Sequence, residues 1–307
     1  YKGDSACGII MHVPEFEVPW AMPIFERRPL WREPLEEGER TMEREAFEDT
    51  FAWAAGLHLA DGTRHSSDYS IGLTADAPEP DDFREFLDQK LFLRPDAGDD
   101  EYVHILRGLQ HFVDTAGPMG YELEMRLTYD EREKKASCPT LCVHVTIEGQ
   151  FDRVYADQGL ATLMLEKRID AAQLDLILAW RRSRREVLIA GLIDGDGCRD
   201  QMFRRETRNA IIFTQRHPEH DCIVGCFATI CASLGMDCRV GFYAAEVIPP
   251  NGTAVEQAAL RAMDRSKRIR HARHAGSTTH LLQLVARVQG PRIQDLPIRV
   301  PHKRVQN

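Results

Sequence analysis

Apolar residues recur at helical spacing in two separated stretches of the chain, residues 44–59 and 181–193. This periodicity predicts two helices. Each stretch is followed closely by an Asp-Gly pair, at 61–62 and at 196–197. Because glycine most readily adopts the left-handed conformation of a helix C-cap, both pairs predict the ends of helices.

The elements expected after these two helices follow one order in both halves of the chain. A strand comes first, then an amphipathic helix closed by glycine, then two strands ended by a glycine turn. The segments are 69–74, 104–116, 121–127 and 141–147 in the first half, and 210–214, 222–234, 238–243 and 281–288 in the second. Such small sheets need a partner to cover their apolar faces. We therefore expect an α/β (α+β) fold of two pseudo-twofold-related αββαββα repeats.

A repeated nonamer covers the end of each predicted helix, AAGLHLADG at 54–62 and IAGLIDGDG at 189–197. Its small residues would let the two helices approach each other backbone to backbone. Asp61 and Asp196 would then lie side by side at helix C-termini, where the helix dipole disfavours negative charge. Two carboxylates that repel each other in this way favour a divalent cation bound between them.

A lysine follows each nonamer at nearly the same distance, Lys167 in the first half and Lys303 in the second. Carboxylates that share Mg²⁺ can activate water and stabilise the leaving oxygen of a phosphodiester, and a lysine offsets charge that develops on the phosphate. The pattern favours metal-assisted hydrolysis of nucleic acid. The alternative is that the Asp-Gly pairs only end helices and that both lysines are surface residues.

The net charge of −9 is distributed unevenly along the chain. Acidic residues predominate in 1–150 and basic residues in 151–307, so we expect a nucleic-acid surface mainly on the second half. No apolar run approaches the length of a membrane span, and no secretory signal is evident in the first residues. We therefore expect a protein that makes no membrane contact.

Three of the eight cysteines, Cys222, Cys226 and Cys231, recur at helical spacing in an apolar stretch. The spacing predicts a buried helix face with reduced thiols, which favours an intracellular protein. The alternative is a structural zinc site. Its candidate ligands are Cys138, Cys142, His217, His220, His271 and His274, although a second matching cysteine pair is missing.

The two nonamers resemble the dodecapeptide motifs of LAGLIDADG homing endonucleases of the intein-embedded type, and IAGLIDGDG is close to their consensus. GLHLADGT is similar to the GLWLGDGT form of the first motif. AIIFTQRHPEHDCIVGCFATICASLGMDCRV resembles the part that follows the second motif, and IQDLPIRVPHKRV resembles the closing stretch that carries the second catalytic lysine. The resemblance covers roughly residues 15–307 and is more specific in the second half.

This resemblance implies a sequence-specific, Mg²⁺-dependent endonuclease that cleaves double-stranded DNA as a pseudo-symmetric monomer, in the nucleus or an organelle. It implies that Asp61 and Asp196 bind the metal and that Lys167 and Lys303 are catalytic. It also implies β-ribbons in the major groove, with Gln215 and Arg216 reading bases. The second-ribbon residues expected to hold phosphates are Arg199, Arg204, Arg205 and Arg208. In the short segment after Asp61, the basic candidates for nucleic-acid contact are Arg64 and His65.

The expected domain organisation is a linker or splicing-domain remnant at 1–43, a first LAGLIDADG repeat at 44–166 and a second at 167–307. The terminal splicing residues of an intein are missing, so we expect no protein splicing within these residues. The basic stretch 261–274 is either an added nucleic-acid contact or a solvated docking loop.

A second function is suggested by the acidic first half and its short predicted ribbon. The protein would then be a domesticated, catalytically silent derivative that binds RNA or serves as a structural component of a ribonucleoprotein such as an organellar ribosome. An acidic half makes a poor clamp for DNA because each phosphate contact normally gains free energy by releasing a counterion.

Overall fold

The computed structural model describes residues 9–11, 37–63, 69–76, 80–130, 140–199, 210–216, 220–246, 280–290 and 292–305. In chain order the elements are β1 (Ile9–Met11), α1 (Glu37–Asp61), β2 (Gly62–Thr63), β3 (Tyr69–Asp76), α2 (Pro80–Asp88), α3 (Glu101–Ala116), β4 (Leu123–Asp130), β5 (Thr140–Gly149), α4 (Phe151–Asp157), α5 (Ala161–Glu166), α6 (Ala171–Leu178), α7 (Arg182–Asp196), β6 (Gly197–Arg199), β7 (Ala210–Arg216), α8 (Asp221–Ser233), β8 (Asp237–Glu246) and β9 (His280–Gln289). The prediction of a mixed helix-and-strand fold is confirmed.

Helices α1 and α7 form the centre of the protein and contact each other more extensively than any other pair of described helices. A Cβ atom built on Gly56 would lie 2.2 Å from the Leu188 carbonyl oxygen, and one built on Gly191 would lie 2.1 Å from the Trp53 carbonyl oxygen. The two backbones therefore touch at both glycines, so a side chain at either position would separate the helices. This contact explains the small residues in both nonamers.

The strands form two antiparallel sheets, and β2-β3-β5-β4 in the first half has the same order as β6-β7-β9-β8 in the second. The registers also correspond, since Gly62 is paired with Ile71 and Gly197 with Phe213. Helix α3 packs on the first sheet and α8 on the second. Each sheet thus buries one face under a helix, and within the described ranges its other face carries exposed side chains, Arg126 in the first sheet and Arg239 in the second.

The segment expected to be a linker, residues 1–43, contains strand β1 and the beginning of helix α1. Strand β1 extends the second sheet, with Ile9 paired to Val240 of β8. Helix α1 begins at Glu37, seven residues before the expected repeat boundary. The glutamate-rich stretch 37–43 favours helix. An ion pair between Arg44 and Glu48, at 2.9 Å, stabilises the helical turn that follows it. Residues 12–36 lie outside the described ranges.

The glycines that follow Asp61 and Asp196 are not left-handed C-caps, which corrects the expectation from the Asp-Gly pairs. Gly197 is extended, with φ −78° and ψ 152°, and Gly62 is not among the residues with positive φ. Both glycines begin strands that turn back over the helix end. A Cβ atom would lie 2.6 Å from the His58 carbonyl oxygen at Gly62 and 2.8 Å from that of Ile193 at Gly197. Close approach of the backbone therefore requires glycine here.

The two halves end differently, although a closing helix was expected in both. The first continues through α4, α5 and α6, and Asp170 and Gln173 form a capping box at the start of α6. The described part of the second half closes with two 3₁₀ turns, Ile293–Asp295 and Pro301–Lys303. A proline in the first turn of Pro301–Lys303 is compatible with this position because it needs no N–H donor there.

The apolar stretch that contains three cysteines forms α8, as its periodicity predicts. Cys226 and Cys231 are buried and form no disulfide, but Cys222 is exposed and does not belong to the buried face. None of the helices in the described ranges is both long and apolar enough to cross a membrane. Of the expected zinc ligands, Cys138, His217, His271 and His274 lie outside the described residues.

Candidate functional site

The two helices that touch at their glycines end at the two acids proposed for the site. Asp61 is the last residue of α1, and Asp196 is the last residue of α7. A Cβ atom on Gly195 would lie 2.5 Å from the Cβ of Ala60 and 3.6 Å from that of Asp61. The two helix ends therefore meet, and each carries a carboxylate at the negative end of its dipole.

The carboxyl group of Asp61 is strongly perturbed at this junction. Burial, followed by the negative charge of Asp196, raises the pKa of Asp61 from 3.8 to about 6. Lys167 and Lys303 act in the opposite direction and lower the pKa of Asp61, and Glu101 raises it. Loss of hydration therefore exceeds the mutual repulsion that the sequence suggested. At neutral pH the carboxylate is ionised and only partly compensated, so a cation would be stabilised beside it.

The two lysines contact equivalent atoms in the two halves. Lys167 Nζ donates a hydrogen bond to the Ala60 carbonyl oxygen at 3.0 Å, and Lys303 Nζ donates one to the Gly195 carbonyl oxygen at 2.8 Å. Each carbonyl belongs to the residue immediately before an acid. The lysines thus neutralise the ends of both helices and bring positive charge next to both carboxylates.

The backbone around each lysine is constrained. Lys167 follows α5 and has a φ of 48°. It is one of two described non-glycine residues in the left-handed region, a backbone conformation that costs a residue with a side chain about 1 kcal/mol. Lys303 is buried in the 3₁₀ turn Pro301–Lys303. Each side chain therefore reaches the site from a defined position outside the two central helices.

Asp194, which the sequence interpretation missed, fixes the segment that carries Lys303. Its fully buried carboxylate accepts hydrogen bonds from Trp53 Nε1 at 2.8 Å and from the backbone N–H groups of Arg299 at 3.0 Å and Val300 at 2.9 Å. Burial raises the pKa of Asp194, although these hydrogen bonds oppose the shift. The sequence signal for this role was the position of Asp194 directly after the apolar residues of LIDGD. An acid buried among apolar residues needs hydrogen-bond donors from elsewhere in the fold.

We expect Asp194→Asn to destabilise the protein by about 2 kcal/mol. The asparagine side chain would turn its own N–H groups toward the N–H donors that Asp194 accepts from, so at least one buried hydrogen bond would be lost. Thermal unfolding and limited proteolysis would measure the loss of stability and the release of residues 292–305. Asp295→Asn is the matched control, because Asp295 is exposed in the same segment. Equal stability of the two variants would show that Asp194 does not hold this segment.

Gln215 is placed differently from the expectation that it reads bases. It is buried in β7, and its Nε2 donates to Asp196 Oδ2 at 2.5 Å and to the Ala60 carbonyl oxygen at 3.5 Å. It therefore orients the Asp196 carboxylate and links the two halves. Strand alternation contained this information, because Gln215 shares its face with the buried residues Ile211 and Phe213.

The other expected nucleic-acid contacts are only partly described. Arg199 ends β6 and is half-buried, and Arg216 ends β7. The remaining candidates lie outside the described residues, as does the basic stretch 261–274. These candidates are Arg64, His65, Arg204, Arg205 and Arg208.

The open faces of the two sheets differ in charge. In the second sheet Arg239 is paired with Arg287, and directly opposite residues share one face. In the first sheet Arg126 contacts Glu148 at 3.0 Å and Glu124 at 3.8 Å, so acidic groups outnumber it locally. At these described pairs, the sheet faces thus differ in charge in the same sense as the two halves of the sequence.

Mg²⁺ is compatible with the donor set at the helix junction. Magnesium usually binds proteins through one or two carboxylates and keeps several waters, and Asp61 and Asp196 provide two carboxylates next to backbone carbonyl oxygens. Within the described ranges, no group of three or more His, Cys, Asp or Glu side chains has an arrangement that could hold a metal. A cation here would therefore rely on the two aspartates, backbone oxygens and water.

No family model matches this chain, and no curated protein matches it.

Proposed function

We propose that this chain is a LAGLIDADG homing endonuclease that hydrolyses phosphodiester bonds of double-stranded DNA with Mg²⁺. One observation carries the proposal: two helices in backbone contact end in Asp61 and Asp196, and a lysine contacts the carbonyl directly before each acid. A purely structural helix end needs neither paired acids nor paired lysines.

A pseudo-twofold repeat architecture is part of this proposal. The reciprocal contacts of Gly56 with Leu188 and of Gly191 with Trp53 support it, as does the common strand order of the two sheets. Two such halves in one chain would act as a monomer on an approximately symmetric duplex. We infer a DNA-containing compartment, the nucleus or an organelle, from this substrate.

In the proposed reaction, Asp61 and Asp196 would hold Mg²⁺, which when bound polarises a phosphoryl oxygen and lowers the pKa of water. Gln215 holds the Asp196 carboxylate in one orientation through its 2.5 Å hydrogen bond. Lys167 and Lys303 place positive charge where a phosphate would gain negative charge. Asp194 acts indirectly, as a positioning residue that fixes the Lys303 turn.

The test is an in vitro cleavage selection on a randomised duplex library with Mg²⁺, run on the unmodified protein and on Asp196→Asn. We expect site-specific double-strand cleavage that falls by at least about a thousandfold in the variant. Asp175→Asn, at an exposed position in α6, is the matched control and should cleave normally. Equal cleavage by Asp196→Asn, or none by the unmodified protein, would contradict the proposal.

The second candidate is the catalytically silent RNA-binding or ribonucleoprotein component. The observation that favours it is the first sheet, where Glu124 and Glu148 flank the exposed Arg126 and weaken its attraction for DNA phosphates. Tight RNA binding without cleavage of any duplex in the selection would favour this candidate over the nuclease.

A further inference from the structure

The Lys303 ammonium group has three acceptors around it. Nζ donates to the carbonyl oxygens of Asp194 at 2.6 Å and Gly195 at 2.8 Å, and it lies 2.6 Å from Glu101 Oε1. A lysine ammonium has three hydrogens, so these acceptors account for all of them. In this state Lys303 has no hydrogen available for a substrate.

The three acceptors differ in how readily they can be displaced. The two carbonyls belong to the end of α7, where helix and strand fix their positions. Glu101 lies in the first turn of α3, in the other half of the chain, and its side chain is 41% exposed. Glu101 is therefore the only one of the three that can leave Lys303 without disturbing the backbone.

A carboxylate oxygen and a phosphate oxygen offer a lysine the same kind of charge-assisted hydrogen bond. After displacement, the Glu101 charge would remain at the N-terminus of α3, where the helix dipole stabilises it. The phosphate would replace Glu101 at the Lys303 ammonium, and Glu101 would also give up or stretch the 3.5 Å contact of its Oε2 with His302 Nε2. A Glu101 that stayed in place would instead repel a phosphate, since its charge already raises the pKa of nearby Asp61.

Resting on the proposed nuclease function, we propose that Lys303 forms a phosphodiester-binding subsite and that the Glu101 carboxylate occupies the place of a phosphate oxygen in the DNA-free protein. DNA binding exchanges Glu101 for a phosphate. The Glu101 carboxylate thus competes weakly with DNA phosphates for Lys303, which limits binding of DNA of arbitrary sequence.

The test measures binding of a fluorescent random-sequence duplex of roughly 30 base pairs without divalent metal, so that no cleavage occurs. We expect Glu101→Gln to bind about three- to fivefold more tightly than the unmodified protein. In a Lys303→Met background, Glu101→Gln should give no comparable gain, because the competing pair is already broken. Glu43→Gln, at an exposed position on α1, controls for the general effect of removing one negative charge.

Glu101→Asp provides a second variant, because its shorter side chain cannot maintain the same contact with Lys303, and it should show a smaller gain. Unchanged affinity in both Glu101 variants, or a gain that persists with Lys303→Met, would overturn the subsite while leaving the nuclease proposal in place. Failure of the unmodified protein and every variant to bind duplex DNA would overturn both. Thermal unfolding of each variant verifies that affinities are compared between folded proteins.

Discussion

Gly191→Ala is expected to destabilise the protein by about 3 kcal/mol or more. The added Cβ would lie 2.1 Å from the Trp53 carbonyl oxygen and 3.0 Å from the Leu57 backbone nitrogen. Both contacts are with backbone of the opposing helix, so no side-chain rotation relieves them. The two helices must separate, and the packing around both acids changes with them.

Gly56→Ala should behave in the same way, because its Cβ would lie 2.2 Å from the Leu188 carbonyl oxygen and 2.9 Å from the Leu192 backbone nitrogen. The matched control is Gly225→Ala in α8, where a Cβ meets no atom within 4 Å. Alanine there should stabilise the protein by about 0.5–1 kcal/mol because it favours helix. Urea unfolding measures all three variants. Similar midpoints for Gly191→Ala and Gly225→Ala would refute the backbone contact.

Asp61→Asn is expected to abolish the proposed DNA cleavage while stabilising the protein, a combination that a structural aspartate would not give. The folded-state pKa of Asp61 is about 6, above its ordinary value of 3.8. An acid whose pKa is raised on folding destabilises the folded state increasingly as the pH rises from 3.8 to about 6. The full free-energy cost is present above pH about 6. At about 1.4 kcal/mol per pKa unit, the amide removes a cost of up to about 3 kcal/mol.

Thermal unfolding at about pH 8 and at about pH 4 tests the sign of this effect. Asp61→Asn should be more stable than the unmodified protein at the higher pH, and the gain should shrink at the lower pH, where Asp61 is protonated. Mg²⁺ should raise the unfolding temperature of the unmodified protein and not that of the variant. Cleavage should fall as pH drops through about 6, since protonated Asp61 binds metal poorly. A variant less stable at both pH values would disprove the account.

Much of the fold could be predicted from sequence because its elements depend on local patterns. Apolar periodicity located α1 and α7, and alternation located the strands that follow each nonamer. The nonamers indicated that the helix ends meet, because small residues at Gly56 and Gly191 serve close packing. Strand β1 was not predicted, because three residues are too few to show a period.

The surroundings of the site were harder to predict because they depend on contacts between distant parts of the chain. Asp194 accepts hydrogen bonds from Trp53, far earlier in the sequence, and from the backbone at Arg299 and Val300. No local pattern indicates such partners. The Glu101 contact with Lys303 joins the first half to the second in the same way. Gln215 is a different case, since its inward position was readable from strand alternation.

The order in which the chain is synthesised gives the Asp194 contacts a further consequence. Asp61 leaves the ribosome first, Asp196 well after it, and Lys303 after both. Until residues 292–305 emerge, the buried Asp194 carboxylate lacks its two backbone donors and the end of α7 lacks its lysine. A growing chain therefore carries both acids before it can complete their surroundings, so the centre can assemble only after residues 292–305 have been synthesised.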